Sequence, residues 1–213
     1  MRYTLILLFL FVRVLSMAEG EEAILFHLGH TRNLLNPYID GNGRAWNRIN
    51  TWGETVKGDL VDSLGNPTQG KWKTVRKMTF HFNRDPFESR LRSYPSVVGE
   101  HGYYFSASRN GNGELPGVLL LNLDPENLYT LVFYASAPPA MRDDASTLFE
   151  VEGRDGQVKK TTLLLKPGDQ AETEATIRDV KPSENGTLSI TMSLPEGYRR
   201  GYWNALQLIK QTE

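Results

Sequence analysis

Side chains alternate between apolar and polar along one short segment after another, and no stretch of the 213-residue chain carries a capped helical period instead. From Thr74 to Phe82, residues Met78, Phe80 and Phe82 fall on one face and Val75, Lys77, Thr79 and His81 on the other. Glu172 to Val180 repeats the pattern, with Ala175, Ile177 and Val180 as its inward set. Ala23 to Leu28, Val118 to Leu123, Leu128 to Ala135 and Tyr202 to Ile209 are further strand segments, short and apolar. Turn residues punctuate them. Asp124-Pro125-Glu126-Asn127 is expected to close a hairpin between Val118–Leu123 and Leu128–Ala135. Gly153-Arg154-Asp155-Gly156 closes another between Thr147–Glu152 and Gln157–Leu165. Leu64-Gly65-Asn66-Pro67 and Asn185-Gly186 reverse the chain elsewhere, and one short helical turn is allowed within Pro86 to Ser93. Roughly nine such strands bury their apolar faces only by packing two sheets together, so the expected fold is all-β, a two-sheet antiparallel β-sandwich of jelly-roll type.

The N-terminus is different. Arg2 precedes an apolar run from Leu5 to Val12, and Ser16-Met17-Ala18 supplies small residues at both positions inspected on cleavage. Residues 1–18 are therefore read as a signal peptide and 19–213 as a single β-sandwich domain, with no membrane span after cleavage. The chain contains no cysteine, which excludes disulfides, thiolate metal sites and cysteine nucleophiles; an exported protein without disulfides suits a bacterial envelope, periplasm or extracellular space. Lysine and arginine number 24 against 25 acidic residues, unsegregated along the chain, so nucleic acid is not an expected partner.

Chemistry finds little to work with. No Gly-x-Ser-x-Gly elbow or phosphate-cradling glycine loop occurs. His27 and His30 point to opposite faces of a strand, and His81 and His101 lack partners at ligand spacing. Glu150 and Glu152 share a strand face, where solvated carboxylates are as well accounted for as a paired-acid site. No cofactor is indicated; Asp40-Gly41-Asn42-Gly43 and Asp59 to Asn66 could lend oxygens to a structural calcium, though ordinary turns explain them too.

Five segments carry a resemblance: Ile24-Leu25-Phe26-His27-Leu28-Gly29; Ala45-Trp46-Asn47-Arg48-Ile49; Leu60-Val61-Asp62-Ser63-Leu64-Gly65-Asn66; Leu123 to Leu131; and Gly201-Tyr202-Trp203-Asn204-Ala205-Leu206-Gln207-Leu208-Ile209. Together they resemble galactose-binding-like jelly rolls, the malectin-like and carbohydrate-binding-module-like domains of exported bacterial proteins. That resemblance implies a β-sandwich with a glycan-binding role and maps no binding residue of the family onto this chain.

The residues themselves offer an aromatic signal in the long connections Gly29 to Val56, Asn83 to Gly102 and Arg109 to Gly117. Trp46, Asn47, Trp52, Tyr103 and Arg109 are the expected ligand-binding set, since flat rings stack on sugar faces while amides and guanidinium groups bond hydroxyls. Large rings also pin loops onto a sandwich, which is the competing role for Trp46. The resulting expectation is a non-catalytic module, not an enzyme, that binds a glycan or cell-envelope polysaccharide. An adhesive sandwich with protein partners and an accessory domain of a secreted hydrolase are the alternatives.

Overall fold

The computed structural model describes residues 22–29, 35–50, 56–76, 80–83, 91, 93–106, 116–137, 141–167 and 172–211. Two six-stranded sheets and one three-stranded sheet are formed among them. The first runs β12 (Glu172–Val180), β9 (Tyr129–Ser136), β15 (Ala205–Lys210), β1 (Ala23–Leu28), β3 (Ala45–Ile49) and β2 (Tyr38–Ile39). The second runs β11 (Val158–Leu165), β10 (Ala145–Glu152), β13 (Leu188–Ser193), β8 (Gly117–Leu121), β5 (Lys71–Arg76) and β4 (Val56–Lys57). The third, β14 (Arg200–Trp203), β7 (His101–Ser106) and β6 (Phe80–Asn83), closes one side, preceded by a one-turn helix α1 (Ser96–Glu100). No described helix is long and apolar enough to cross a membrane.

Inward residues of the sheets meet in an aromatic core. Phe133 stacks on Phe149 at 4.1 Å, Trp203 sits edge-on to Phe149 at 5.4 Å, and Trp72 lies between Trp203 at 5.8 Å and Phe26 at 5.1 Å. Each such pair contributes about 0.5–1.5 kcal/mol beyond the area it buries. On the outer face of the first sheet a smaller core gathers Leu25, Trp46, Tyr134 and Ala205 beneath Tyr94 and Val98, with Tyr94 stacked on Tyr134 at 3.9 Å.

The expected sandwich is present, with four local differences. β1 and β3 pair in parallel, Leu25 opposite Trp46, inside an otherwise antiparallel sheet. Ala45–Ile49 was hidden in a presumed loop because both of its faces are buried, leaving no alternation to read. The expected hairpin around Asp124-Pro125-Glu126-Asn127 does not form: β8 pairs with β5 and β13, β9 with β12 and β15, and the turn crosses between sheets. Leu123 is drawn off to Gly186, whose carbonyl accepts its N–H at 2.9 Å; Gly186 has φ 71°, and a Cβ there would lie 2.3 Å from the Leu123 oxygen. Finally, two continuous strands are each divided between sheets. Thr74 to Phe82 splits into β5 and β6, with 77–79 outside the described residues, and Tyr202 to Ile209 breaks at Asn204. The hairpin of β10 and β11 forms as expected, with Asp155 at φ 57° and Gly156 at φ 69°. Pro86 to Arg90 and Arg92, within the expected helical turn, lie outside the described residues.

Candidate functional site

Of the five residues expected to bind ligand, three are described, and all three are buried. Trp46 has 0% exposure; its Nε1–H donates to Asp40 Oδ2 at 3.0 Å, and the Arg44 guanidinium lies 5.6 Å from its ring. A ring covered on both faces has none left for a sugar, so Trp46 is a packing residue of the smaller core. Asn47, at 1% exposure, donates from Nδ2 to the carbonyls of Leu25 (3.1 Å) and Val61 (2.7 Å) and accepts the Val61 N–H on Oδ1 (2.9 Å). Its amide is spent on stitching the Val61 backbone to β1. Tyr103 is at 0% exposure, with its hydroxyl donating to Asn50 Oδ1 at 3.3 Å. The reason is common to the three: each sits on a strand whose two faces are both covered. Trp52 and Arg109 lie outside the described residues.

Two of the carboxylates considered for calcium, those of Asp40 and Asp62, are engaged within their own turns. Asp40 accepts the N–H groups of Asn42 and Arg44, the Arg44 Nε–H and the Trp46 indole. Burial pushes its pKa up, but the donors from Trp46 and Arg44 prevail and hold it below the ordinary carboxylate range. Asp62 accepts from Leu64, Asn66 and the Asn66 side chain. Glu150 pairs with Lys160 across the hairpin on the solvent face of the second sheet.

An accessible cavity with a polar rim lies instead at one pole of the sandwich, where β1 and β9 begin, β15 and β8 end, and the chain enters β5. Its volume is about 440 Å³, within the range of small-molecule sites. Ile24, Leu123 and Leu208 give it an apolar floor. Around the rim stand Thr68, Gln69, Asn122 and Asp124, with the ion pair of Glu22 and Lys210 (3.0 Å) between the paired ends of β1 and β15. Tyr129 is 6% exposed and its hydroxyl accepts the Asp124 N–H at 3.2 Å, fixing the turn that forms one wall. Burial foremost raises the Tyr129 pKa, keeping the phenol neutral. Asn122 holds a left-handed backbone, φ 59°, where the chain leaves β8, and Gln69 ends the loop into β5. Neither amide is engaged by a described residue. The two turns are far apart in the chain, and only the fold brings them together; the sequence signal that could have flagged them was their turn chemistry, asparagine at a strand exit and Pro-Thr-Gln-Gly at a strand entrance.

At the other pole the polar side chains are inside. Asn204, between β14 and β15, is at 0% exposure and donates to His101 O (2.9 Å), Ser136 Oγ (3.0 Å) and Val98 O (3.2 Å), while its Oδ1 accepts the Ser136 N–H (3.0 Å). His27, also at 0%, makes no hydrogen bond to a described residue from either ring nitrogen, and the His101 ring lies 6.2 Å away. Burial first, then the neighbouring His101 and Arg48, pushes the His27 pKa down to about 3. Among the described residues no group of three His, Asp or Glu side chains is arranged to hold a metal ion.

No family model and no curated protein matches the sequence. Solved structures share its fold. The plant receptor-like kinase FER superposes with a TM-score of 0.57 at 10% identity, covering 90% of this chain and 50% of that one. The extracellular domain of ANXUR2 from Arabidopsis thaliana gives 0.52 at 13% identity, covering 90% and 42%. The chain thus spans half or less of the length of these structures. What they share with it is the fold, a two-sheet β-sandwich.

Proposed function

We propose that this chain is a non-catalytic carbohydrate-binding module, exported to the cell envelope or beyond it, that takes a sugar in the cavity bounded by Gln69, Asn122 and Lys210. One observation carries the reading: a cavity of about 440 Å³ whose rim amides are uncommitted while its floor is apolar. Sugars present hydroxyls around a ring and C–H groups on its faces, and amides and carboxylates over an apolar floor complement both. The jelly-roll fold supports the reading at the level of architecture. Its non-catalytic character is supported by Glu150, whose carboxylate is committed to Lys160 rather than facing a second acid across a groove.

A glycan array followed by calorimetry on the best hit tests it. Gln69→Ala and Asn122→Gly are expected each to weaken binding about tenfold, the loss of one to two hydrogen bonds to a bound hydroxyl. Trp52→Ala and Arg109→Ala are the counter-arms. Full binding by the cavity variants, with loss in Trp52→Ala, would move the site to the long connections; no glycan bound by the wild type would end the reading. Chromogenic glycosides are expected to remain intact.

A further inference from the structure

Beside the large cavity, across the turn that walls it, is a second one of about 210 Å³ with a different character. Asn122 and Asp124 face the first, Leu128 the second, so the crossing turn separates the two. Three cations line the smaller cavity: Arg154 from the β10–β11 turn, Lys159 on β11 and Lys181 after β12. Lys159 Nζ donates to two backbone carbonyls, those of Arg178 (2.8 Å) and Asp179 (2.7 Å), which take two of its three protons and carry no formal charge. Arg154 Nη2 donates to Pro125 O at 2.7 Å and to Glu126 Oε1 at 3.2 Å, while the adjacent Nε–H is buried and has no partner among the described residues. Lys181 Nζ reaches the other oxygen of Glu126, also at 3.2 Å.

Glu126 is therefore a loosely held anion on a better site. Its side chain is 74% exposed, and both contacts are longer than the roughly 2.7–2.9 Å of well-made charge-assisted bonds. An exposed ion pair of this kind is weak. Arg154 meets it with one prong of a two-pronged edge, whereas a carboxylate seated squarely would take parallel bonds from Nε and Nη2 and satisfy the orphaned donor. The acids among the described residues that line this cavity are Asp155 and Asp179, and the Asp179 carboxylate already accepts the Gln211 amide at 2.9 Å.

We propose that the Nε–Nη2 edge of Arg154, flanked by Lys181 and Lys159, is an acceptor site for the carboxylate of an acidic sugar, and that Glu126 occupies it in the free protein as a displaceable internal competitor. The sugar part of the proposal rests on the glycan reading above, since the turn that walls the large cavity also borders the small one.

The probes are galacturonate and galactose, added at low salt to ¹⁵N-labelled protein, with the Arg154 Nε–H resonance as the local readout, and trigalacturonate and galactotriose for calorimetry. Galacturonate is expected to shift that resonance saturably and galactose to leave it still. Glu126→Gln should tighten galacturonate about two- to fivefold, the worth of an exposed ion pair, and leave galactotriose unchanged. Arg154→Lys, which keeps the charge and loses the fork, should weaken galacturonate about tenfold or more. Lys181→Met, which does not touch the Pro125 anchor, should weaken it severalfold. A silent Arg154 resonance, or a Glu126→Gln variant that binds galacturonate no better, overturns the proposal. Galactotriose binding with a silent Arg154 retires this site alone; an Arg154 response without galactotriose binding keeps it and retires the neutral-sugar reading of the large cavity.

Discussion

Asparagines at the two poles of the sandwich show how the same side chain serves opposite ends. Asn204 is wholly buried, with its amide distributed over the backbone of β7, β9 and α1. Asn122 is exposed, and its left-handed backbone does the structural job while its amide is left over. The contrast extends to neighbours. Ser136, Thr147 and Asn204 are buried and bonded, Thr147 Oγ1 both donating to and accepting from the backbone of Tyr202. Glu22, Gln69 and Asp124 are exposed around a cavity. At one pole polarity completes the fold; at the other it exceeds what the fold requires, and surplus polarity around a concavity is what a ligand can use.

Removing the amide where it completes the fold should have the largest effect. Asn204→Ala strands the Ser136 N–H and several carbonyls in an interior closed to water, and is expected to cost about 3–5 kcal/mol, read as a shift of the urea midpoint by tryptophan fluorescence. Gly102 packs directly beneath, where a Cβ would lie 2.6 Å from the Asn204 Cγ, so the surroundings have no room to rearrange around a substitute. A loss below 1 kcal/mol would break the contrast at its strongest point.

His27 is an exception within the buttressed pole, a buried polar group without a bond to a described residue, and acid should expose it. Its pKa is about 3 folded against 6.5 unfolded. Between those values the unfolded chain binds the extra proton, so the stability contributed by the neutral ring is complete above pH 6.5 and is lost as pH falls toward 3. The slope is at most about 1.4 kcal/mol per pH unit, or roughly 2–3 kcal/mol between pH 6.5 and 4.5. The lowered pKa of Asp40 acts in a separate window: its contribution is present above the ordinary value of 3.8 and fades below it. His27→Leu should flatten the slope above pH 4.5 while remaining folded at pH 7. Parallel pH curves for the two proteins would show that the acid sensitivity resides elsewhere.

What could be read from sequence divides along the same line. Glu172–Val180 and its inward Ala175, Ile177 and Val180 were legible because one face meets the core and the other does not. Ala45–Ile49 was not, since the smaller core under Tyr94 covers its outer side and erases the period. A tryptophan reads alike whether it stacks on a ligand or on Tyr94, so the sequence leaves Trp46 both roles and its burial shows the packing one. Turn residues announce that the chain reverses, not which sheet receives the next strand, and the crossing at Asp124 was lost for that reason. Gln69 and Asn122 are joined by topology alone, and no local pattern could have paired them.

The smallest expected effect on stability sharpens the comparison most. Gln69→Ala removes an exposed amide with no bond to a described residue, and should shift the unfolding midpoint by no more than about 0.5 kcal/mol. Asn122→Gly involves two opposing terms: glycine relieves the φ of 59°, yet has more freedom to lose on folding, and the two offset to within about 0.5–1 kcal/mol. Both variants should therefore unfold like the wild type in urea while differing from it in glycan binding. If either proves clearly destabilised, its amide belongs to the fold after all, and the open pole differs from the buttressed one in exposure but not in role.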